Sequence, residues 1–286
     1  MAPMFSSHSY RWYQYALFPF LRPDRNRLSQ QLNNKTILIT GASYGIGETL
    51  VAMLSGMNIH LILVARTQEK LSQLKQQIEP HVASCQIFAV DLTQQDRTER
   101  LINEVKQRYG GIDILINNAG KSICRSIADS TDRLHDFQRT MALNYFAPVQ
   151  LCMGLLPQLK QNQGQIINIS AVNVLLAPAP YWAAYQASKS AFDQWFRCAE
   201  PELQVSGVQL TSIYLPLVNT RMIQPTYANK SVPAISAPQA AEIICRAIQT
   251  RKPCFKPLWT IFGQLGSVIF NRWWVMGCAH YLKRKA

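Results

Sequence analysis

Two residues four positions apart, Tyr185 and Lys189, have side chains suited to acid–base chemistry at a carbonyl group. Residues i and i+4 of a helix lie on one face, so a helix here places the ammonium beside the phenol. A phenol with its ordinary pKa of about 10 is a poor acid at neutral pH, and a nearby cation lowers that pKa. The pair is therefore a candidate for acid–base catalysis. The alternative, which the spacing alone favours, is an ordinary pair on a helix surface.

A glycine-rich stretch, TGASYGIG at residues 40–47, follows a short apolar run and precedes a segment with helical periodicity. The first glycine permits a tight turn, the second lets the backbone approach a pyrophosphate, and the third lets the helix pack against the strand. The free N–H groups of the helix start then form an anion site. We predict cofactor contacts from Gly41, Ser43, Tyr44, Gly45, Ile46 and Gly47.

Arg66 ends the second apolar run, at a place where many NAD-binding sites have an acid for the ribose hydroxyls. An arginine there can instead pair with the 2′-phosphate of NADP. The sequence therefore predicts NADP(H) as cofactor. The alternative is that Arg66 is a solvated surface charge.

From residue 36 onward, short β-branched runs alternate with segments of helical periodicity, which predicts a parallel sheet with helices on both faces. The predicted strands are 36–40, 60–65, 86–90, 112–116, 165–169 and 208–214. The predicted helices are 45–56, 68–79, 95–109, 131–160, 183–204 and 237–250. We predict a single α/β domain, a Rossmann-like doubly wound sheet over 34–257, between an aromatic-rich N-terminal extension (1–33) and an apolar, basic C-terminal segment (258–286).

Further motifs in the same order resemble the classical short-chain dehydrogenases/reductases over roughly residues 34–250. The resemblance implies that Tyr185, Lys189 and Asn144 are catalytic, that Lys189 holds the nicotinamide ribose, and that Asn144 anchors a water that relays protons to Lys189. It implies further cofactor contacts from Asp91, Leu92, Asn118, Ala119, Gly120, Pro216, Val218 and Thr220. One position departs from the pattern, since Leu217 replaces the usual glycine after the proline.

The serine that this family places about 13 residues before the tyrosine is missing. By motif the position is Ala171, and one residue is inserted before Tyr185. We expect Ser170 to serve instead, with two alternatives: Asn173 substitutes, or the donor to the carbonyl oxygen is absent. Losing one such donor costs about 2.7–4 kcal/mol in the transition state.

Within the family, several stretches resemble the bacterial fatty acyl-CoA reductases of the short-chain type: 63–71, 115–123, 132–146, 164–170 and 211–226. This resemblance implies NADPH-dependent reduction of a long acyl thioester to an aldehyde. Lys121 and Arg125 are then candidates for contacts to coenzyme A phosphates, or else solvated charges at the rim. The alternatives are a reductase of a ketone (3-oxoacyl, sterol or retinoid) and a weakly catalytic, membrane-associated dinucleotide-binding protein.

The composition of the chain limits the classes of partner that it is expected to bind. The net charge of +13 suits a nucleic acid, a phosphate-rich ligand or an anionic membrane, and the chain has no nucleic-acid-binding motif, so we expect no nucleic acid. The five histidines show no ligand spacing, so we expect no metal. Seven scattered cysteines predict a reducing compartment, hence a cytoplasmic location or the membrane surface, with the cysteines mainly buried.

The C-terminal segment 258–286 is apolar and basic. Its apolar run, 258–270, has 13 residues, fewer than the roughly 20 that span a bilayer. Trp273, Trp274 and the flanking bases suit a helix in the lipid headgroup region and predict peripheral membrane contact. A dimer interface or a flap over the substrate cleft is the alternative. The family resemblance separately implies a homo-oligomer that associates through the helices near 131–160 and 183–204.

Overall fold

The computed structural model describes residues 12–18, 22–227 and 232–284. Its centre is a seven-stranded parallel sheet in the order β3-β2-β1-β4-β5-β6-β9, and β7 and β8 form a separate short parallel pair. The strands are β1 (Lys35–Thr40), β2 (Ile59–Ala65), β3 (Ser84–Ala89), β4 (Ile114–Asn117), β5 (Gln165–Ala171), β6 (Gln209–Leu215), β7 (Val218–Asn219), β8 (Ile235–Ser236) and β9 (Cys254–Phe255).

Helices cover both faces of the sheet, as parallel strands joined by right-handed crossovers require. They are α1 (Trp12–Leu17), α2 (Arg25–Leu32), α3 (Gly45–Leu54), α4 (Gln68–Ile78), α5 (Gln95–Tyr109), α6 (Leu134–Met141), α7 (Ala147–Gln161), α8 (Ala183–Val205), α9 (Gln224–Tyr227), α10 (Ala237–Thr250), α11 (Trp259–Ile269) and α12 (Asn271–Lys283). The sheet and these helices confirm the predicted Rossmann-like fold.

Two hydrophobic cores lie on opposite faces of the sheet. Strand β1 shows how one strand serves both, because alternate side chains point to opposite faces. Ile37 and Ile39 join the core that packs against α2, α3, α4 and α10, while Leu38 joins the core that packs against α5, α7 and α8. Strands buried on both faces therefore appear as continuous apolar runs in the sequence.

All six predicted strands are present, and the helix predicted over 131–160 is helical without interruption from 134 to 161 but contains a π-helical turn. Helix α6 ends at Met141, a π-helical turn spans Ala142–Phe146, and α7 begins at Ala147. Pro148 follows the start of α7 and has no N–H, so it cannot close the regular α-helical bond to the carbonyl of Asn144. The wider turn lies at a predicted functional residue, where such π-bulges are often found.

Among the elements that were not predicted, β9 and α2 extend the sheet and its core. Strand β9 is two residues long, between Pro253 and Pro257, so it has no periodicity to detect, yet it pairs with β6 at the sheet edge. Helix α2 lies in the predicted N-terminal extension, and its Leu28 and Leu32 are buried in the same core as β1. Phe5, Tyr10 and Phe20 of the aromatic-rich extension lie outside the described residues, and the proposed division at residues 33 and 257 stays a prediction.

The C-terminal segment forms α11 and α12. No helix within the described ranges is both long and apolar enough to cross a membrane. All seven cysteines are free, and only Cys85, Cys152 and Cys245 are buried, fewer than expected. In these three, burial raises the thiol pKa to about 12, so they remain neutral.

Candidate active site

A cavity of about 790 Å³ opens at the carboxyl ends of the strands, where ligands bind in sheets of this type. Most of the predicted site residues line it: Gly41, Ser43, Tyr44, Gly45, Ile46, Arg66, Leu92, Asn118, Ala119, Gly120, Ser170, Tyr185, Lys189, Pro216, Val218 and Thr220. Three predicted residues, Gly47, Asp91 and Asn144, do not reach its wall. The volume is in the range of small-molecule and cofactor sites.

The glycine loop requires glycine at each of its three positions. Gly41 and Gly45 have φ values of +67° and +59°, in the left-handed region that side chains disfavour. A Cβ on Gly41 would lie 2.9 Å from Ala119 Cα, and one on Gly47 would lie 2.2 Å from the carbonyl oxygen of Gly41. Helix α3 begins at Gly45 and directs its first N–H groups toward the loop. This backbone cradle fits the pyrophosphate of a dinucleotide.

The loop after β4 holds the glycine loop in place. Asn118 Nδ2 donates hydrogen bonds to the carbonyl oxygens of Thr40 (2.9 Å) and Gly41 (3.1 Å). The hydroxyl of Thr40 accepts from the backbone N–H groups of Asn118 and Ala119, each at 3.0 Å. The side chain of Asn118 therefore supports the cofactor loop from behind, in addition to its place in the cavity wall.

The ends of β2 and β3 form the far wall of the cofactor side. The side chain of Arg66 is exposed and lines the cavity, and no salt bridge joins it to a carboxylate of the described chain. Leu92 also lines the cavity. The Asp91 carboxylate instead accepts hydrogen bonds from the backbone N–H (3.0 Å) and hydroxyl (2.8 Å) of Thr93 and stabilises that turn.

Helix α8 carries the predicted catalytic pair. Burial lowers the pKa of Lys189 to about 8, and the nearby Asp193 carboxylate partly offsets this effect. The ammonium donates a hydrogen bond to the carbonyl oxygen of Ile169 at 2.9 Å. Burial raises the pKa of Tyr185 to about 12, so the predicted lowering by Lys189 is wrong for the protein chain alone. The phenol therefore keeps its proton at neutral pH, as a proton donor must.

The π-helical turn places Asn144 behind this pair. Its Nδ2 donates to the carbonyl oxygen of Lys121 (2.8 Å) and to the hydroxyl of Ser188 (2.9 Å), and its Oδ1 accepts from the N–H of Lys121 (2.9 Å). A second, small cavity of about 10 Å³ borders both Asn144 and Lys189. Asn144 is thus fixed beside the lysine but outside the main cavity.

The end of β5 supplies two candidates for the missing serine. Ser170 is buried, and its hydroxyl lies 3.5 Å from the carboxylate of Asp193, which also forms a hydrogen bond with Tyr214. Asn173 lies in the turn after β5 and lines the same cavity as Ala171. Its Oδ1 is buried without a hydrogen-bond partner in the described chain. Ser170 and Asn173 are both cavity residues, and Ala171 between them has no donor.

An aromatic cluster beside Tyr185 was not predicted. The ring of Trp182 packs edge-on against Tyr185, with centroids 5.8 Å apart, and stacks on Tyr227 at 6.3 Å. On the cofactor side, the guanidinium of Arg221 lies 5.0 Å from the ring centre of Tyr44. Two of these residues could have been found from the sequence, because each lies close to a predicted site residue. Trp182 precedes Tyr185 by three residues, and Arg221 directly follows Thr220.

Of the two basic residues proposed for phosphate contacts, Lys121 lines the cavity, whereas Arg125 contacts Asp136 at 3.3 Å. Arg133 and Arg139 contact the same buried carboxylate. Although burial raises the pKa of Asp136, hydrogen bonds from these two arginines lower it to about 2. Three guanidinium groups thus surround one negative charge, which leaves the cluster positive. Among the described residues, no group of three or more His, Cys, Asp or Glu side chains could hold a metal ion.

The sequence of this chain is similar to those of known proteins. A family model described as short chain dehydrogenase matches residues 35–231. A protein named fatty acyl-CoA reductase from Acinetobacter baylyi is 44% identical over 242 residues, which cover 84% of this chain and 81% of that protein. A protein of the same name from Mycobacterium tuberculosis is 39% identical over 243 residues, which cover 85% and 83%.

Solved structures agree with the fold. A short-chain dehydrogenase from Sphingobium yanoikuyae in complex with NADPH superposes with a TM-score of 0.72 at 24% identity, over 85% of this chain and 95% of that one. A short-chain dehydrogenase from Streptomyces avermitilis gives 0.69 at 24% identity, over 89% and 100%. The family match supports a nicotinamide dinucleotide as cofactor, and this chain belongs to the short-chain dehydrogenase family of oxidoreductases.

Proposed function

We propose that this protein reduces a fatty acyl-CoA thioester to the aldehyde with NADP(H) as cofactor. The observation that carries the proposal is one cavity lined by the glycine loop, the phenol of Tyr185 and the apolar ring of Trp182, which packs against that phenol. A carbonyl with a long apolar substituent suits that position. The similarity to two relatives named fatty acyl-CoA reductases favours a thioester over a ketone.

When bound, the nicotinamide would supply a hydride, a hydrogen with its electron pair, to the carbonyl carbon. Tyr185 donates its proton to the carbonyl oxygen as negative charge develops there. Lys189 would hold the nicotinamide ribose and would return a proton to Tyr185. The small cavity beside Asn144 and Lys189 is close to the smallest volume that holds one water, which supports a water relay from Asn144 to Lys189. Collapse of the resulting hemithioacetal releases the aldehyde and the free thiol.

Arg66 is the proposed determinant of NADP(H) over NAD(H). Its side chain reaches the cavity at the end of β2, and no salt bridge occupies it within the described chain. A guanidinium can form two parallel hydrogen bonds to a phosphate. The 2′-phosphate of NADP is the group that distinguishes the two cofactors at this place.

Ser170 is the proposed donor to the carbonyl oxygen, and Asn173 is the alternative. The hydroxyl of Ser170 is held only by a long contact to Asp193, so a substrate oxygen can compete for it. Ser170→Ala and Asn173→Ala, compared for kcat, separate the two. A fall of about 100-fold or more in the serine variant alone supports the assignment, whereas unchanged turnover in that variant refutes it.

Coenzyme A phosphates are the proposed partners of the basic residues beside the cavity. Lys121 lines the cavity. Its pKa is lowered, mainly by burial and then by the positive charges of Arg139 and Arg66. The nearby arginine cluster around Asp136 carries excess positive charge. A polyphosphate would relieve this repulsion on binding.

The deciding experiment follows NADPH consumption and thiol release in one tube with a long-chain acyl-CoA. Equal loss of NADPH and gain of thiol is the expected result. NADPH consumption with a 3-oxoacyl, sterol or retinoid ketone, and none with the thioester, would favour the ketone alternative. NADPH binding without turnover of either substrate would favour a weakly catalytic dinucleotide-binding protein.

We further propose peripheral membrane contact through 258–286 and a homo-oligomer. Exposed apolar side chains on α11 and α12 support the first, and the free cysteines suit the cytoplasmic side of the membrane. The homo-oligomer is supported by two exposed apolar residues, Phe146 and Met153. They are seven residues apart and therefore lie on about the same side of the helix. Molecular mass in solution, measured by light scattering, tests the oligomer.

A further inference from the structure

Helix α11 has its apolar face turned outward. The face that packs on the protein carries small and polar residues: Thr260, Gly263, Gln264 and Ser267. The exposed face carries large apolar residues at helical spacing: Ile261, Phe262, Leu265, Val268 and Ile269. A helix of a water-soluble domain normally shows the opposite arrangement. This outer face therefore fits surroundings other than water.

Helix α12 extends the same surface. Trp273 is 73% exposed, and Trp274, Val275 and Met276 are also exposed. Tryptophan is favoured where an apolar environment meets water. The chain has no acidic residue after Glu242, and the sequence in and around the two helices includes the bases Lys256, Arg272, Lys283 and Arg284. A large apolar surface bordered by positive charge matches the chemistry of an anionic lipid bilayer.

The inner side of this helix pair packs against the loop between β5 and α8 (the β5–α8 loop, residues 172–182). Ser267 Oγ accepts a hydrogen bond from the N–H of Ala177 at 2.7 Å. Trp274 Nε1 donates one to the carbonyl oxygen of Pro178 at 2.9 Å. A Cβ on Gly263 would lie 2.5 Å from Leu176 Cδ2, so a larger residue there would require the side chain of Leu176 to move.

The same loop forms the substrate-side wall of the active site. Val172, Asn173, Ala179 and Trp182 all line the cavity. Gln186, one residue after Tyr185, holds both ends of this stretch: Nε2 donates to the carbonyl oxygen of Asn173 (3.1 Å), and Oε1 accepts from the N–H of Ala179 (2.9 Å). One short loop therefore separates the exposed apolar helices from the reacting end of the cavity.

We infer that the α11–α12 pair docks on an anionic lipid surface and holds the β5–α8 loop against it, so that a lipid-dissolved acyl chain enters the cavity at that surface. The inference rests on the proposed function for the identity of the substrate. Docking itself rests only on the outward apolar face, the bordering bases and the contacts between the helices and the loop.

Matched valine variants test the inference. Val268 is 80% exposed on α11, and Val205 is 91% exposed at the end of α8, far along the chain from the helix pair. Val268→Asp, alone or with Phe262→Asp, places negative charge on the proposed lipid-facing surface, and Val205→Asp is the control. Each protein is sedimented with vesicles of phosphatidylcholine and phosphatidylglycerol (7:3), and with phosphatidylcholine alone.

The expected result is that wild type and the control pellet with the anionic vesicles, while the α11 variants bind at least tenfold more weakly. Reduction of a long-chain acyl-CoA carried by those vesicles falls in parallel, whereas reduction of a short-chain acyl-CoA in solution is unchanged. Equal pelleting of all proteins, or of none, overturns the docking. An oligomer that the α11 variants break, without vesicle binding, assigns this surface to a second copy of the chain.

The two conclusions fail separately. If wild type binds vesicles but reduces neither acyl-CoA, the proposed function fails and docking stands. If wild type reduces both substrates, and the α11 variants bind vesicles as wild type does, docking fails and the proposed function stands.

Discussion

The glycine loop (residues 40–47) and the β5–α8 loop line the same cavity but are held in different ways. The glycine loop is held by neighbouring strands of the sheet: the N–H of Gly41 donates to the carbonyl oxygen of Val64 near the end of β2 (2.8 Å), and the side chain of Asn118, after β4, donates to the carbonyl oxygen of Gly41 (3.1 Å). The β5–α8 loop is held by side chains, from Gln186 on α8 and from Ser267 and Trp274 of the C-terminal segment.

The two kinds of support suit two different requirements: the cofactor loop must keep one backbone geometry, whereas the wall of the substrate site can change shape. Any dinucleotide has the same pyrophosphate, so its cradle can be built from main-chain N–H groups whose geometry depends on glycine. A substrate wall held by side chains can change shape through substitutions elsewhere in the chain. We therefore expect changes on the cofactor side to act on NADPH binding, changes in the β5–α8 loop to act on the acyl substrate, and Tyr185 to affect the chemistry at their junction.

The largest effect is expected for Tyr185→Phe, which removes the proton donor and keeps the ring beside Trp182. We expect kcat to fall by about 10²–10⁴-fold, with the Kd of NADPH within about threefold of wild type. Tyr227→Phe removes a hydroxyl from the same cavity and is the control. Steady-state kinetics with fluorescence titration of NADPH gives both quantities, and an equal loss in the two variants would contradict the role of Tyr185.

Lys189→Met should reduce turnover by less than Tyr185→Phe does, and it should stabilise the fold. Burial lowers the pKa of Lys189 from 10.5 to about 8, so the folded state binds fewer protons than the unfolded state between those pH values. The charged lysine therefore destabilises the wild type below pH 8, by about 3 kcal/mol, and this cost disappears as the pH rises toward 10.5.

Urea unfolding at pH 7 and at pH 10 measures this difference. The free energy of unfolding of Lys189→Met should exceed that of wild type at pH 7, and the excess should shrink by pH 10. Taking the difference between the proteins cancels the titration of the buried cysteines. Lys160→Met, on α7, is the surface control. If the excess in the free energy of unfolding of Lys189→Met were independent of pH, burial of the charged Lys189 would not be what destabilises the wild-type fold.

Arg66→Ala should reduce the ratio of NADPH to NADH affinity by roughly 10–100-fold, the loss of about 1.5–3 kcal/mol from charged hydrogen bonds. NADH affinity should change little, because the 2′-hydroxyl carries no charge to attract the guanidinium. Arg97→Ala, on the exposed side of α5, is the control. Titration with both cofactors gives the ratio, and an unchanged ratio would leave Arg66 as a surface charge.

The sequence was most informative where a local rule acts. The three glycines predict a turn that only glycine can form, and the six long strands are apolar runs that a sheet buried on both faces requires. The π-helical turn between α6 and α7 was missed because apolar periodicity continues through it, although Pro148 marks it. Contacts between distant segments, such as Gly263 with Leu176, depend on how α11 returns to the sheet edge, and no short-range pattern encodes them.

The smallest effect is expected for Gln186→Leu, which removes both hydrogen bonds to the β5–α8 loop while leaving Tyr185 and the glycine loop intact. A net loss of about 1 kcal/mol raises the KM of the acyl substrate roughly fivefold, with the Kd of NADPH unchanged. Gln194→Leu, an exposed position on the same helix, is the matched control. A rise in KM without a change in NADPH binding would show that the two walls are independent, whereas equal changes in both would mean that α8 couples them.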